Sequence, residues 1–95
     1  MSNDKNLYLI QSDFNQTQIH LSKIDALYGL NDAIVLMGEA CMHVDDQRLC
    51  NKANLYLLQH DAEILAQDVP SHVHVINYAA FADLILGYKR CISFH

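Results

Sequence analysis

Six histidines and three cysteines supply most of the reactive groups in this chain of 95 residues. Cys41 stands first among them. It lies just past the apolar run Asp32 to Met37, where a parallel strand would end and a helix begin. Open α/β sheets place ligands outside those carboxyl ends, and a helix N-terminus favours a thiolate over a thiol. His43, two residues on, could assist. Against this stands the bland reading, a small apolar residue in the first turn, because free cysteine is among the most buried residue types. Glu39 favours the bland reading, since a nearby carboxylate raises a thiol's pKa. Cys50 sits near a helix end whose dipole disfavours a thiolate, and Cys91 follows Lys89 and Arg90, which would lower its pKa. Both are expected to be dispensable for any chemistry. An odd number of cysteines with no CxxC pair argues against a disulfide framework or a zinc knuckle. Free thiols fit a reducing compartment.

His72 and His74 fall on one face of a strand, a spacing that can hold a metal. A third ligand would have to come from His60 or Asp61 at the end of the preceding strand. Cys41, His43 and Asp45 are a second candidate set with no specific spacing. Histidines packed near a helix or an interface are the stronger reading, so no metal is expected. The glycines are Gly29, Gly38 and Gly87, and no phosphate-cradling loop can be built from them. Nucleotide binding is therefore not expected, no cofactor is implied, and no Ser-His-Asp arrangement emerges from the spacing.

The elements that must position these residues alternate. Leu7 to Ile10, Asp32 to Met37, Ala53 to Leu58 and His72 to Ile76 are strand-like runs. A helix with Ile19, Leu21, Ile24, Leu27 and Tyr28 on its apolar face follows the first run, closed by Gly29. Glu39 to Cys50 is a weaker helical stretch with Ala40, Val44 and Met42 inward. A short helix opens at Asp61 and Glu63, with acidic residues at its positive end, and stops at Pro70. Asn77 caps a helix that turns Phe81, Leu84, Ile85 and Tyr88 to one side at i, i+3, i+4 and i+7. Ile92 and Phe94 alternate with Ser93 and His95, which predicts a last edge strand with one buried face. Runs apolar on both faces mark a parallel sheet covered on both sides, and the alternation gives βαβ units. The expectation is a single three-layer α/β domain over residues 1–95, with residues 1–5 flexible.

Charge narrows the function classes. Eleven acidic residues against six basic leave a net charge of −5, and only Lys89 and Arg90 are adjacent. A nucleic-acid binder shows a basic stripe, so direct binding of nucleic acid is not expected, nor is attraction to an anionic membrane. The start, Met1 to Asn6, does not read as a secretion signal, and no apolar run is long enough to cross a bilayer. The default address is the cytoplasm. Charged residues are 18% of the chain, below the roughly 25% of an average soluble domain, although a small domain has the most surface per residue. An obligate partner would explain the deficit, since obligate interfaces resemble a domain core cut in half. The isolated chain is expected to self-associate, with Ile92 and Phe94 as interface candidates.

The order of segments then resembles a known family. Asn6 to Asp13, the strand Asn31-Asp-Ala-Ile-Val-Leu-Met37, the stretch Val73-His-Val-Ile-Asn-Tyr-Ala-Ala-Phe-Ala-Asp-Leu-Ile85 and the short tail after Lys89 are similar to the DsrH/TusB family. The resemblance implies a DsrE/F/H-like fold, a mostly parallel five-stranded sheet between helices. It implies a cytoplasmic sulfur-relay complex, TusBCD or DsrEFH, in which this chain joins two homologous sister subunits (TusC- and TusD-like, or DsrF- and DsrE-like) in a hexamer. The TusBCD form passes persulfide sulfur towards 2-thiolation of the tRNA wobble uridine, and the DsrEFH form serves sulfur oxidation. The relay cysteine sits on a sister subunit, so this chain would be a non-catalytic structural subunit. Two stretches depart from the family: Met37-Gly-Glu-Ala-Cys-Met-His43, where members often carry an acidic-Gly pair, and Ile19-His-Leu21, where some sulfur-oxidation members have a cysteine. The alternative is a persulfide carrier using Cys41. A third reading is a stand-alone domain with a small ligand at the sheet's carboxyl edge.

Overall fold

The computed structural model describes residues 5–29, 31–65 and 68–95. Five strands form one sheet: β1 (Asn6–Ile10), β2 (Ala33–Leu36), β3 (Leu55–Leu58), β4 (His74–Ile76) and β5 (Arg90–Phe94). Their order is β4-β3-β2-β1-β5, and every pairing is parallel. The helices are α1 (Phe14–Leu27), α2 (Gln59–Glu63) and α3 (Tyr78–Leu86), with two 3-10 turns at Gly38–His43 and Gln47–Leu49. The expected α/β architecture is therefore present, with a wholly parallel sheet. Most of the stretch expected to be flexible lies outside the described residues. Lys5 is described, and its carbonyl accepts from the Lys89 amide at 3.0 Å.

Strand alternation divides the core in two. On one face Tyr8, Ile10, Ile34, Leu36, Leu55 and Leu57 meet Leu21 and Ile24 of α1 and the residues Ala40, Cys41, Val44 and Leu49 of the turns. On the other face Leu7, Ala33 and Val35 lie beneath Phe81, Leu84, Ile85 and Tyr88. These are the four residues that the i, i+3, i+4, i+7 spacing singles out, the first three on α3 and Tyr88 two residues past its end. Asn77 caps this helix as expected, its Oδ1 accepting from the Ala80 amide at 2.8 Å.

Four local expectations are corrected. The buried face of α1 is Thr17, Leu21 and Ile24, while Ile19 and Leu27 are exposed. Thr17 can be buried because Ser12 and Asp13 satisfy its hydroxyl, at 2.7 Å each. The helix ends at Tyr28 in an extended conformation, and Gly29 is not left-handed; its amide donates to Asp32 instead. Glu39 to Cys50 forms two 3-10 turns with Met42 exposed. The short helix expected to run to Pro70 ends at Glu63, and residues 66–67 between them lie outside the described residues.

Candidate functional site

Of the reactive side chains, Cys41 and His43 follow the carboxyl end of β2 and His60 follows that of β3. Gly38 turns the chain off β2 at φ 60°, a conformation other residues rarely adopt. The chain then crosses the start of α1. Asp13 caps that helix through the Gln16 amide at 2.7 Å, and Glu39 Oε1 accepts the Phe14 amide at 3.1 Å. His43 Nε2 donates to the Phe14 carbonyl at 2.8 Å, and its ring stacks on the Phe14 ring with centroids 4.2 Å apart. Glu39 and His43 thus hold both backbone groups of one residue and clamp the turn to α1.

Cys41 lies inside that clamp. It is 1% exposed, and its thiol donates to the Leu36 carbonyl at 3.3 Å. Burial pushes its pKa up to about 12, and the charge of Asp61 adds to the shift. This is the opposite of the lowered pKa expected at a helix N-terminus, because loss of water outweighs the dipole of one short turn. Accessibility runs the other way too: Cys50 and Cys91 are exposed. The Cys50 thiol donates to the Gln47 carbonyl at 3.0 Å.

The two candidate ligand sets are also taken apart. His43 is committed to Phe14, Cys41 points into the core, and Asp45 is exposed. His72 lies in the turn before β4, not on the strand, and its Nε2 donates to the Leu49 carbonyl at 3.1 Å. His74 lies on β4 beside the Tyr56 ring, centroids 5.2 Å apart. His60 sits on α2, in a cleft of about 280 Å³ lined by Leu58, Gln59, His60, Glu63, Asn77 and Tyr78. This cleft opens at the carboxyl ends of β3 and β4, where the third reading expected a small ligand. Its Glu63 and Tyr78 carried no signal in spacing, since they come from two helices that only the fold brings together.

Ile92 and Phe94 are half-buried and pack on the chain's own core. The Phe94 ring lies 6.3 Å from that of Tyr8 and 5.1 Å from that of His20. Among the described residues no helix is long and apolar enough to cross a membrane.

No protein-family model matches the sequence, and no curated protein matches it significantly. A solved structure does match the fold. The crystal structure of the YchN protein from E. coli superposes with a TM-score of 0.64, covering 98% of this chain and all of that one. The chain has the fold of YchN. At 11% sequence identity the likeness to YchN is one of architecture: the single α/β domain on its five-stranded parallel sheet.

The burial of Cys41 has a measurable consequence. Iodoacetamide is expected to label Cys50 and Cys91 in the native protein and Cys41 only after denaturation, as read by mass spectrometry of peptides. The pH dependence follows from the raised pKa. A thiol held neutral favours the folded state below its unfolded value of about 8.5, and that contribution is lost as pH rises towards 12. Burial raises Tyr8, Tyr28 and Tyr88 as well, so they reinforce the loss above pH 10. Cys41→Ala is expected to flatten the fall in stability between about pH 8.5 and the onset of tyrosine ionisation, measured by urea titration across pH.

Proposed function

We propose that this chain is a non-catalytic structural subunit of a cytoplasmic sulfur-relay complex. It sits beside two homologous sister subunits in a hexamer and serves 2-thiolation of the tRNA wobble uridine. The resemblance of Asn31 to Met37 and Val73 to Ile85 to the DsrH/TusB family supports this reading. So does a fold built to the same plan. The observation that carries it is α3. That helix is apolar apart from Asp83, yet none of its residues is buried, and Leu86 is 84% exposed. A helix apolar all round belongs in an interior, and an exposed apolar surface of this kind marks an interaction site. Cys41, sealed in the core, favours an assembly role over a carrier role.

The test is genetic and biochemical. A tagged chain in its native host is expected to co-purify with two homologous subunits. Deleting its gene is expected to deplete 2-thiouridine from tRNA, and Cys41→Ala is expected to restore it in full. Purification without homologous partners, or unchanged 2-thiouridine on deletion, would sink the reading. Failure of Cys41→Ala to restore thiolation, with the protein folded, would favour the carrier.

A further inference from the structure

The sheet ends on β5, and among the described residues nothing pairs with its outer side. The Phe94 carbonyl accepts the Gln11 amide at 2.9 Å, so the Phe94 backbone faces β1. Backbone direction alternates along a parallel strand. Ile92 therefore also faces β1, and the N–H and C=O groups of Cys91 and Ser93 face outward. Both residues are exposed.

We infer that this edge pairs with the same edge of a second copy, antiparallel about a two-fold axis at Ile92, joining two sheets into one. The available groups select that register. Pairing centred on Ile92 sets Cys91 against the partner's Ser93, and Ser93 against the partner's Cys91, so every outward group on both residues is used. Centring on Cys91 would set Ser93 against Lys89, whose amide already donates to Lys5. Centring on Ser93 would set Cys91 against His95, whose carbonyl already faces His20 Nε2 at 3.2 Å.

The side chains agree with the backbone. Arg90, Ile92 and Phe94 share the face that carries Tyr8. In this register Ile92 meets the partner's Ile92 as a close, non-hydrogen-bonded pair. Arg90 lies beside the partner's Phe94, a guanidinium against an aromatic ring. Phe94 is already fixed for the contact by Tyr8 and His20. Basic residues commonly guard a bare edge; here Arg90 finds an aromatic partner across the axis. The inference does not depend on the sulfur-relay reading.

Sedimentation of the purified full chain is expected to show a concentration-dependent dimer. Ser93→Pro removes an outward amide, and proline is tolerated where an edge N–H faces solvent. That variant is expected to sediment as a monomer with the wild-type circular dichroism. Arg90→Glu is expected to weaken the dimer on the order of tenfold. In a Cys50→Ala, Cys91→Ala background, Ile92→Cys is expected to form a disulfide-linked dimer on mild oxidation, and Ala26→Cys on exposed α1 is not. Should Ser93→Pro fail to fold, Arg90→Glu and the cross-link decide. A wild-type monomer at every concentration, a dimer indifferent to Ser93→Pro and Arg90→Glu, or cross-linking no greater than that of Ala26→Cys would overturn the inference.

Discussion

Leu36→Ala is expected to lower the unfolding free energy by about 2–5 kcal/mol, the range for a leucine truncated in a packed core. Leu36 is fully buried on β2, beneath α1 and the turn that carries Cys41. A chain of this length has about 5–14 kcal/mol in total, so the variant loses a large share of its margin. Leu86→Ala is the matched control. It removes the same atoms from an exposed position and is expected to change the isolated chain by less than about 0.5 kcal/mol. Urea midpoints for both variants check the pair. A similar loss at both positions would contradict the assignment of the core.

The second large effect is expected at Asp32, whose carboxylate is buried and, among the described residues, has no cationic partner at hydrogen-bond distance. Its Oδ1 accepts the Asn6 amide at 2.9 Å and its Oδ2 accepts the Gly29 amide at 2.8 Å. One side chain thus ties the start of β1 to the end of α1, and Asn54 Nδ2 donates to its carbonyl from beside β3. Asp32→Ala leaves two amides without acceptors, and a hydrogen bond to a charged group is worth about 1.5–3 kcal/mol. A loss of about 2–4 kcal/mol is expected, since water reaches part of the exposed site. Asp32→Asn keeps one acceptor and turns a donor towards the other amide, so it is expected to recover less than half. Amide exchange at Asn6 and Gly29 reports the local effect, and thermal unfolding the global one.

The strands and α3 were legible in the sequence because each carries its own signal. β1, β2 and β3 carry apolar runs, β5 alternates apolar with polar residues, and α3 repeats at helical spacing with Asn77 before it. The boundary and face of α1 were not legible, for a physical reason. Thr17 is a polar residue made tolerable in the interior by Ser12 and Asp13, and hydrophobic periodicity cannot register a satisfied hydroxyl. Residues 38–52 were obscure because 3-10 turns have no amphipathic period to read. Their order comes from long-range polar contacts. Arg48 pairs with Asp46 at 2.8 Å and donates to Ser22 of α1 at 2.6 Å. Lys52, itself buried, reaches Asp25 of α1 at 2.8 Å and lies over the Tyr28 ring. Charges that look scattered in sequence are latches in space. The position of Cys41 past β2 was readable, but its burial was not, because burial depends on α1 closing over the turn.

The pairing of β1 with β5 sets a timetable for synthesis. Asn6 waits for Arg90, its partner in the register, and a ribosome adds roughly 5–20 residues per second. The nascent chain therefore spends about 4–17 s, at that rate, with one side of its first strand unpaired. Pairing of β1 with β2 comes much earlier, so the emerging chain holds a partial sheet whose open flank lies on β1. Bare strand edges are what chaperones must shield. Closing so long a loop also carries an entropic cost that local contacts do not. Slow decoding between codons 37 and 90 would therefore lengthen the interval in which the chain is most exposed to aggregation.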